Sequence, residues 1–503
     1  MKRLCFLLLL LPALGACQWM TEDYEEDGKL SPTTGQYLNL TISVGGGHQV
    51  TTRATTPPNG GENGDGREAG FERENTISGI TLILADGPLG DSEAKVQYVR
   101  YFPVTRGTAL NPGATPTTEH SHTNYAGGEE VVYTTGNCLI EDFNLREDKN
   151  YHAIVLANCY VSASAGDLLS TIQDQTLPLT ALFQRSGYGP DSHDTFAMAS
   201  EQDVIVNFGN STGVTQTQTA NAITYTVDRA IVIERLAARI DFCTNYASGA
   251  KTATYVTSPV KGYKYDIDAN HYFILESIIP FNLYNEQEYF FKRVQAGWGE
   301  GTKPSLLGQE TASNYVADPQ TSQKAGTTMS YVNALGATEP AWATTTPYYR
   351  SCESINAQAT TSKLTIGSHL TGDGDKSNVF VLAYAMENTL LPDSPLKTYA
   401  TGLVLTGSYY TTADNRFLTR KTHYGFLRHQ GETRDASTPY PTYEWSEITS
   451  SMTGASATPM NFSIVRNNIY RVSIDQVSPY GGKLQLKMAV HDWRHVDNPV
   501  IYI

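Results

Sequence analysis

From Gln36 to Val44 the chain reads Gln-Tyr-Leu-Asn-Leu-Thr-Ile-Ser-Val, so Leu38, Leu40, Ile42 and Val44 alternate with Asn39, Thr41 and Ser43. A period of two places every second side chain on one face, which predicts a half-buried β-strand. Gly45-Gly46-Gly47 ends it, and the stretch from Thr51 to Gly66 carries almost no apolar side chain. Such a composition cannot bury a core and predicts a flexible, exposed loop. Strand-forming sequence resumes at Asn75-Thr76-Ile77-Ser78-Gly79-Ile80-Thr81-Leu82-Ile83-Leu84. One strand is therefore tied to the body by a tether with Arg53 near its start, and proteolysis concentrates on such tethers. A cut between Arg53 and Ala54 would free the strand covalently while leaving it paired; Arg67 and Arg73 are further candidates, and a solvated loop charge is the plainer reading of Arg53.

Ahead of the strand lies an address. Lys2 and Arg3 form a basic start, and Leu4 to Leu14 is an apolar run shorter than the roughly 20 residues that span a bilayer, so it reads as a signal peptide. Leu14-Gly15-Ala16-Cys17 resembles the bacterial lipobox, which implies cleavage before Cys17 and acylation of its thiol. Several acyl chains anchor stably, at about 0.8 kcal/mol per buried CH₂. The acidic run Glu22-Asp23-Tyr24-Glu25-Glu26-Asp27 resembles a surface-export signal of Bacteroides-type lipoproteins, or is a solvated spacer. With the signal removed, the net charge moves from −15 to −17. An acidic chain without basic clusters is a poor nucleic-acid ligand, because phosphate contacts need cations.

The body reads as β-rich. Tyr occurs 31 times, Gly 42 and Pro 23, a mixture of strand formers and turn formers. A length of 503 residues suits two to three domains at roughly 150 residues each. Strands are predicted at 151–157, 204–208, 231–242, 263–279, 379–385, 402–405 and 468–474, with a short helix at 166–172 and a linker at 244–259. The region 293–363 predicts mostly loop. From Lys483 to Val490 the alternation returns, with Leu484, Leu486, Met488 and Val490 on one face. No fixed-period repeat is present.

Signals of chemistry are few. Gly209-Asn210-Ser211-Thr212-Gly213 matches G-x-S-x-G, but a nucleophile elbow must enter a helix and Val214 to Thr219 is not helical, so a turn between strands is expected. Asp373-Gly374-Asp375-Lys376-Ser377-Asn378 has Asn378 and Tyr384 where an EF-hand loop requires Gly and Glu, and predicts a β-turn, with a calcium site of another kind as the lesser alternative. His120, His122 and His193 form no close ligand pair on a helix; His120 and His122 could share one strand face toward a metal, but a polar loop is the preferred reading, so no metal or cofactor is expected. Cys138, Cys159, Cys243 and Cys352 contain no CxxC and read as up to two disulfides or as buried thiols.

Several segments together resemble the fimbrillins, subunits and accessory proteins of type V pili in Bacteroides-like anaerobes, especially the Mfa-type branch. The resemblance is carried by Arg53-Ala54 after the first strand, Glu72-Arg73-Glu74-Asn75-Thr76-Ile77, Tyr151 to Asn158, Phe196-Ala197-Met198-Ala199-Ser200 and Glu234-Arg235-Leu236-Ala237-Ala238-Arg239-Ile240. In the second half it is carried by Tyr384-Ala385-Met386-Glu387-Asn388-Thr389, Val465-Arg466-Asn467-Asn468-Ile469-Tyr470 and Val490-His491-Asp492-Trp493. The region 293–363 matches nothing in that pattern.

What the resemblance implies is an all-β chain of two transthyretin-like β-sandwich domains, with long loops and one or two short helices. The division expected is a signal peptide at 1–16, a lipidated propeptide with the first strand at 17–53, an N-terminal domain at 54–245 and a C-terminal domain at 246–503. The implied partners are other fimbrial subunits, an arginine-specific protease that cuts at Arg53-Ala54, the outer membrane through Cys17, and a surface receptor. The strand bearing Leu38, Leu40, Ile42 and Val44 would be removed, and a neighbour's strand would fill its place; Leu484 to Val490 or Val500 to Ile503 is the donor candidate. The rival readings are a stand-alone glycan- or protein-binding lipoprotein that does not polymerise, and a polysaccharide hydrolase with two carboxylates facing a cleft.

Overall fold

The computed structural model describes residues 35–44, 74, 77–103, 118–123, 129–134, 138–139, 149–178, 183–185, 193–209, 212–218, 222–244, 253–296, 305–306, 314–321, 329–359, 379–428, 439–454, 461–479 and 482–493. Their architecture is all-β, with short helices such as Leu169–Gln173, Cys352–Ala359 and Leu396–Tyr399.

Two main sheets form in the first half, beside a two-stranded one of Phe183–Arg185 and His193–Phe196. The larger runs, in spatial order, Val96–Pro103, Gly79–Ala85, Asn150–Ala157, Met198–Ser200, Ile231–Arg235, β2 (Thr41–Val44), Glu129–Thr134 and Thr118–Thr123, with Val204–Asn207 paired onto Asn150–Ala157. The smaller runs Val214–Gln218, Ala222–Val227, β1 (Gly35–Asn39) and Cys138–Leu139. One apolar core takes side chains from both, among them Leu38, Leu82, Ile154, Val214 and Tyr225. Gly79–Ala85 is buried at every position, as its unbroken Ile-Thr-Leu-Ile-Leu run requires of a strand covered on both faces.

The second half has the same layering. Val379–Ala385, Ala238–Cys243, Asn468–Val477, Leu484–Asp492 and Tyr440–Pro441 make one sheet. Thr254–Val256, Gly262–Asp266, His271–Phe281, Gly402–Thr411 and Phe417–Phe426 make the other, with Arg350–Ser351 on His271–Phe281. Between them lie Phe242, Leu382, Val472 and Leu486 from one sheet and Tyr265, Phe273, Leu405 and Tyr409 from the other. The helix Cys352–Ala359 packs against Gly262–Asp266, His271–Phe281 and Val379–Ala385, which helps to bury an edge strand that is apolar on both faces.

Two sequence expectations change. The run 231–242 is two strands: Ile231–Arg235 belongs to the first half's large sheet, and after Leu236 and Ala237 the strand Ala238–Cys243 enters the second half's sheet. Alternation reports a buried face but not which sheet buries it. Similarly, 263–279 is a hairpin of Gly262–Asp266 and His271–Phe281. The region 293–363 contains short strands, among them Arg293–Ala296 and Asn314–Val316, and the helix Cys352–Ala359. The helix expected at 166–172 occupies Leu169–Gln173. Asp373 to Asn378 lies outside the described residues.

Candidate functional site

The first strand is the inner strip of two sheets at once. β1 lies parallel to Ala222–Val227, with Gly35 to Asn39 opposite Ala222 to Thr226, and antiparallel to Cys138–Leu139 on its other edge. β2 lies parallel to Ile231–Arg235, with Ile42 to Val44 opposite Ile231 to Ile233, and antiparallel to Glu129–Thr134. Leu40 is the one residue between them, where the chain passes from the small sheet to the large one. Leu38 and Leu40 are 0% exposed and Ile42 1%, so the alternation of the sequence becomes a row of apolar plugs in the first core. Val44 is the last residue of β2.

Lifting out 35–44 would therefore leave four strand edges unpaired and an apolar trench between the sheets. Each unsatisfied buried polar group costs about 1–3 kcal/mol. The three buried side chains contribute roughly 1.5–3 kcal/mol each, about 5–9 kcal/mol together. A groove of this kind takes an extended segment with apolar side chains at alternate positions.

The other sequence-predicted residues fall as follows. Cys17, Arg53 and Ala54 lie outside the described residues. Leu484, Leu486, Met488 and Val490 are buried in Leu484–Asp492, which is bonded on one edge to Asn468–Val477 and on the other to Tyr440–Pro441. Val500 to Ile503 is also outside the described residues.

A second assembly joins motif residues that are far apart in the chain. Glu74, Arg235, Arg239, Tyr384, Asn467 and Trp493 meet between the halves, all buried. One Glu74 carboxylate oxygen lies 3.0 Å from Arg239 Nη1, and the Tyr384 hydroxyl donates a short hydrogen bond to the other. Arg235 donates from Nε to the Glu74 carbonyl at 2.9 Å and from Nη1 to the Trp493 carbonyl at 2.7 Å. Arg239 also forks onto both oxygens of Asp241 at 3.0 Å, and Arg471 reaches Asp241 at 2.9 Å. The Trp493 ring carries Arg235 at 4.6 Å and Arg239 at 5.5 Å and stacks on Tyr384, their planes 13° apart.

Beside it, Arg466 holds Glu288 at 2.5 Å and Glu387 at 3.0 Å and donates to the carbonyls of Tyr289 and Phe290. Burial works against the Arg466 charge, but Glu387 and Glu288 outweigh it and raise its pKa. Burial, then the charge of Glu387, holds the Glu288 carboxyl well above the usual range. Asn388 donates to the Tyr399 carbonyl and to Thr401, and the Thr389 amide donates to Asp318. The sequence singled out most of these positions but not that they converge; Asp241, Glu288, Asp318 and Arg471 were missed, having no signal except a charge inside a strand or loop.

The sequence's candidate catalytic signals fall as follows among the described residues. No group of three or more His, Cys, Asp or Glu among them could hold a metal ion. The paired carboxylates Glu288 and Glu387 are both 0% exposed and cannot meet a substrate. At the G-x-S-x-G segment the Asn207 amide donates to the Thr212 carbonyl at 2.8 Å and the strand Val214–Gln218 follows, so the chain turns between strands. Cys159 and Cys352 are buried thiols.

Neither a protein-family model nor a curated protein sequence matches the chain. Among solved structures it is similar to the tip fimbrial protein Mfa3 of Porphyromonas gingivalis with a C-terminal truncation, at 10% identity over 91% of this chain and 100% of that one, TM-score 0.36. It is also similar to a putative cell adhesion protein of Parabacteroides distasonis, at 12% identity over 92% and 99%, TM-score 0.41. A fimbrilin, FimA, of Porphyromonas gingivalis gives 13% identity over 93% and 100%, TM-score 0.36.

Proposed function

We propose that the protein is a fimbrial subunit or accessory protein of the cell surface, exported as a lipoprotein on Cys17, cut by an arginine-specific protease at Arg53-Ala54, and assembled by donor-strand exchange for adhesion. The observation that carries the reading is the double role of 35–44 as the inner strip of both first-half sheets. A segment so placed shields four strand edges, and the sequence joins it to the body through Thr51 to Gly66, a stretch with almost no apolar side chain. While attached it blocks pairing with a neighbour, as edge protection does elsewhere. Once cut free it leaves a groove that a second strand of like pattern is strongly favoured to fill.

The reading concerns the acceptor side first. As donor, Leu484 to Val490 would have to leave two bonded neighbours; the other donor candidate, Val500 to Ile503, lies outside the described residues.

The test uses the full-length precursor, digested with an arginine-specific protease and mixed with a labelled peptide copying Gln36 to Val44. Peptide should enter the cut protein and be refused by the uncut one, and Arg53→Ala should slow the change. Cut protein that keeps its own strand, admits no peptide and never multimerises would count against the reading. So would mature surface protein that begins at Cys17 with the strand intact, the outcome expected of a stand-alone binding lipoprotein.

A further inference from the structure

Given strand removal, on which the following rests, we infer that Glu74 anchors the retained body at its start and sets the limit of what the protease can remove. Glu74 stands just after the last of three candidate arginines, so the bond on its amino side is an arginyl bond. Its side chain is nevertheless 0% exposed. The carboxylate is held by Arg239 at 3.0 Å and by the Tyr384 hydroxyl, and the carbonyl by Arg235 at 2.9 Å. These partners come from both halves: Arg235 ends a first-half strand, whereas Arg239 and Tyr384 lie in second-half strands that face each other in register.

A protease binds its substrate as an extended chain on both sides of the bond it cuts. To reach its cleft, Glu74 would have to leave all three partners; Arg239 would keep Asp241 and Arg235 the Trp493 carbonyl, but each guanidinium would lose a hydrogen bond in the interior. Cleavage then waits on a local opening, whose population sets the rate. The bond before Glu74 is thereby protected, which leaves the bonds after Arg53 and Arg67 for processing. The same grip keeps the new N-terminal end of the body fastened between the halves after the first strand has gone. Glu74 is a positioning residue; it touches no incoming strand.

The experiment is limited digestion of the folded full-length precursor with an arginine-specific protease, with new N-termini read by mass spectrometry over time. Cuts after Arg53 or Arg67 should accumulate, and a body beginning at Glu74 should form about a hundredfold more slowly. Glu74→Gln and Tyr384→Phe, each checked for a native fold by circular dichroism, should speed that one cut about tenfold. They should leave cuts at arginines within the body unchanged, and low urea should alter the rate only weakly, as local opening requires. A wild-type body beginning at Glu74 and formed as fast as the upstream cuts would overturn the inference. So would folded variants that gain nothing at that bond. Failure of peptide to enter the groove of a correctly trimmed body would count against strand exchange and leave the anchor standing.

Discussion

Leu40 offers the sharpest test of the groove. It sits between β1 and β2 where the chain changes sheets, and it is 0% exposed. Leu40→Ala removes three carbons from a site whose walls belong to two sheets and cannot easily collapse. Leucine-to-alanine changes in packed cores cost about 2–5 kcal/mol, the lost transfer energy plus a cavity term. Taking about 3 kcal/mol, uncut precursor should unfold at lower urea by that amount, if the first half unfolds as one unit. In cut protein the same energy weakens binding of the free strand, by about a hundredfold in the dissociation constant at 1.4 kcal/mol per decade. Most of that should appear as faster release. The assay pairs urea unfolding of uncut protein with the release rate of a labelled 35–44 strand from cut protein. Thr217→Ala, on the exposed face of Val214–Gln218, serves as control and should stay within about 0.5 kcal/mol. If Leu40→Ala changes stability no more than this control and release by less than about twofold, the strand contributes little to the core and the groove argument fails.

Two further outcomes are expected. Burial holds the His423 pKa down, from 6.5 to about 4, against the opposing charges of Glu444 and Glu447. The folded protein keeps this ring neutral while the unfolded chain takes up a proton below about pH 6.5, so stability present at neutral pH is lost as the pH falls from there toward 4. The loss is about 2 kcal/mol by pH 5, and urea unfolding at pH 7.5 and 5 should show it in the wild type but not in His423→Gln; equal slopes for both would refute it. Arg466→Met leaves Glu288 and Glu387 buried without their cation and should cost about 3–5 kcal/mol. Adding Glu387→Gln should restore part of the loss, and a double variant no more stable than the single in urea unfolding would show that the carboxylates are not the source of the cost.

Much of the first half's organisation was legible in the residues. The alternation of Leu38, Leu40 and Ile42 required a strand with one buried face, because successive side chains point to opposite sides whatever the partner. The same logic applied to Leu484 to Val490, and all four of its apolar side chains are buried. The arginine-bearing, apolar-poor tether was likewise a property of composition. Motif by motif, Glu74, Arg235, Tyr384, Arg466 and Trp493 could be marked as unusual. Their meeting could not be read, since Glu74 and Tyr384 are 310 positions apart and a pair so distant has no local signature.

The amino-acid order by itself decided that this chain makes strands, that its first strand is apolar on one side, and that a stretch poor in apolar side chains and bearing Arg53 follows it. Tertiary structure decided where that strand goes: parallel to 222–235, across two sheets, with its only break at Leu40. It also decided that 231–242 divides between the halves, placing Arg235 and Arg239 on opposite sides of one buried junction. Periodicity is local and fixes which face is hidden. Pairing partners, register and the satisfaction of buried charge are long-range matters, settled only when distant segments compete for the same edges and the same few counter-ions.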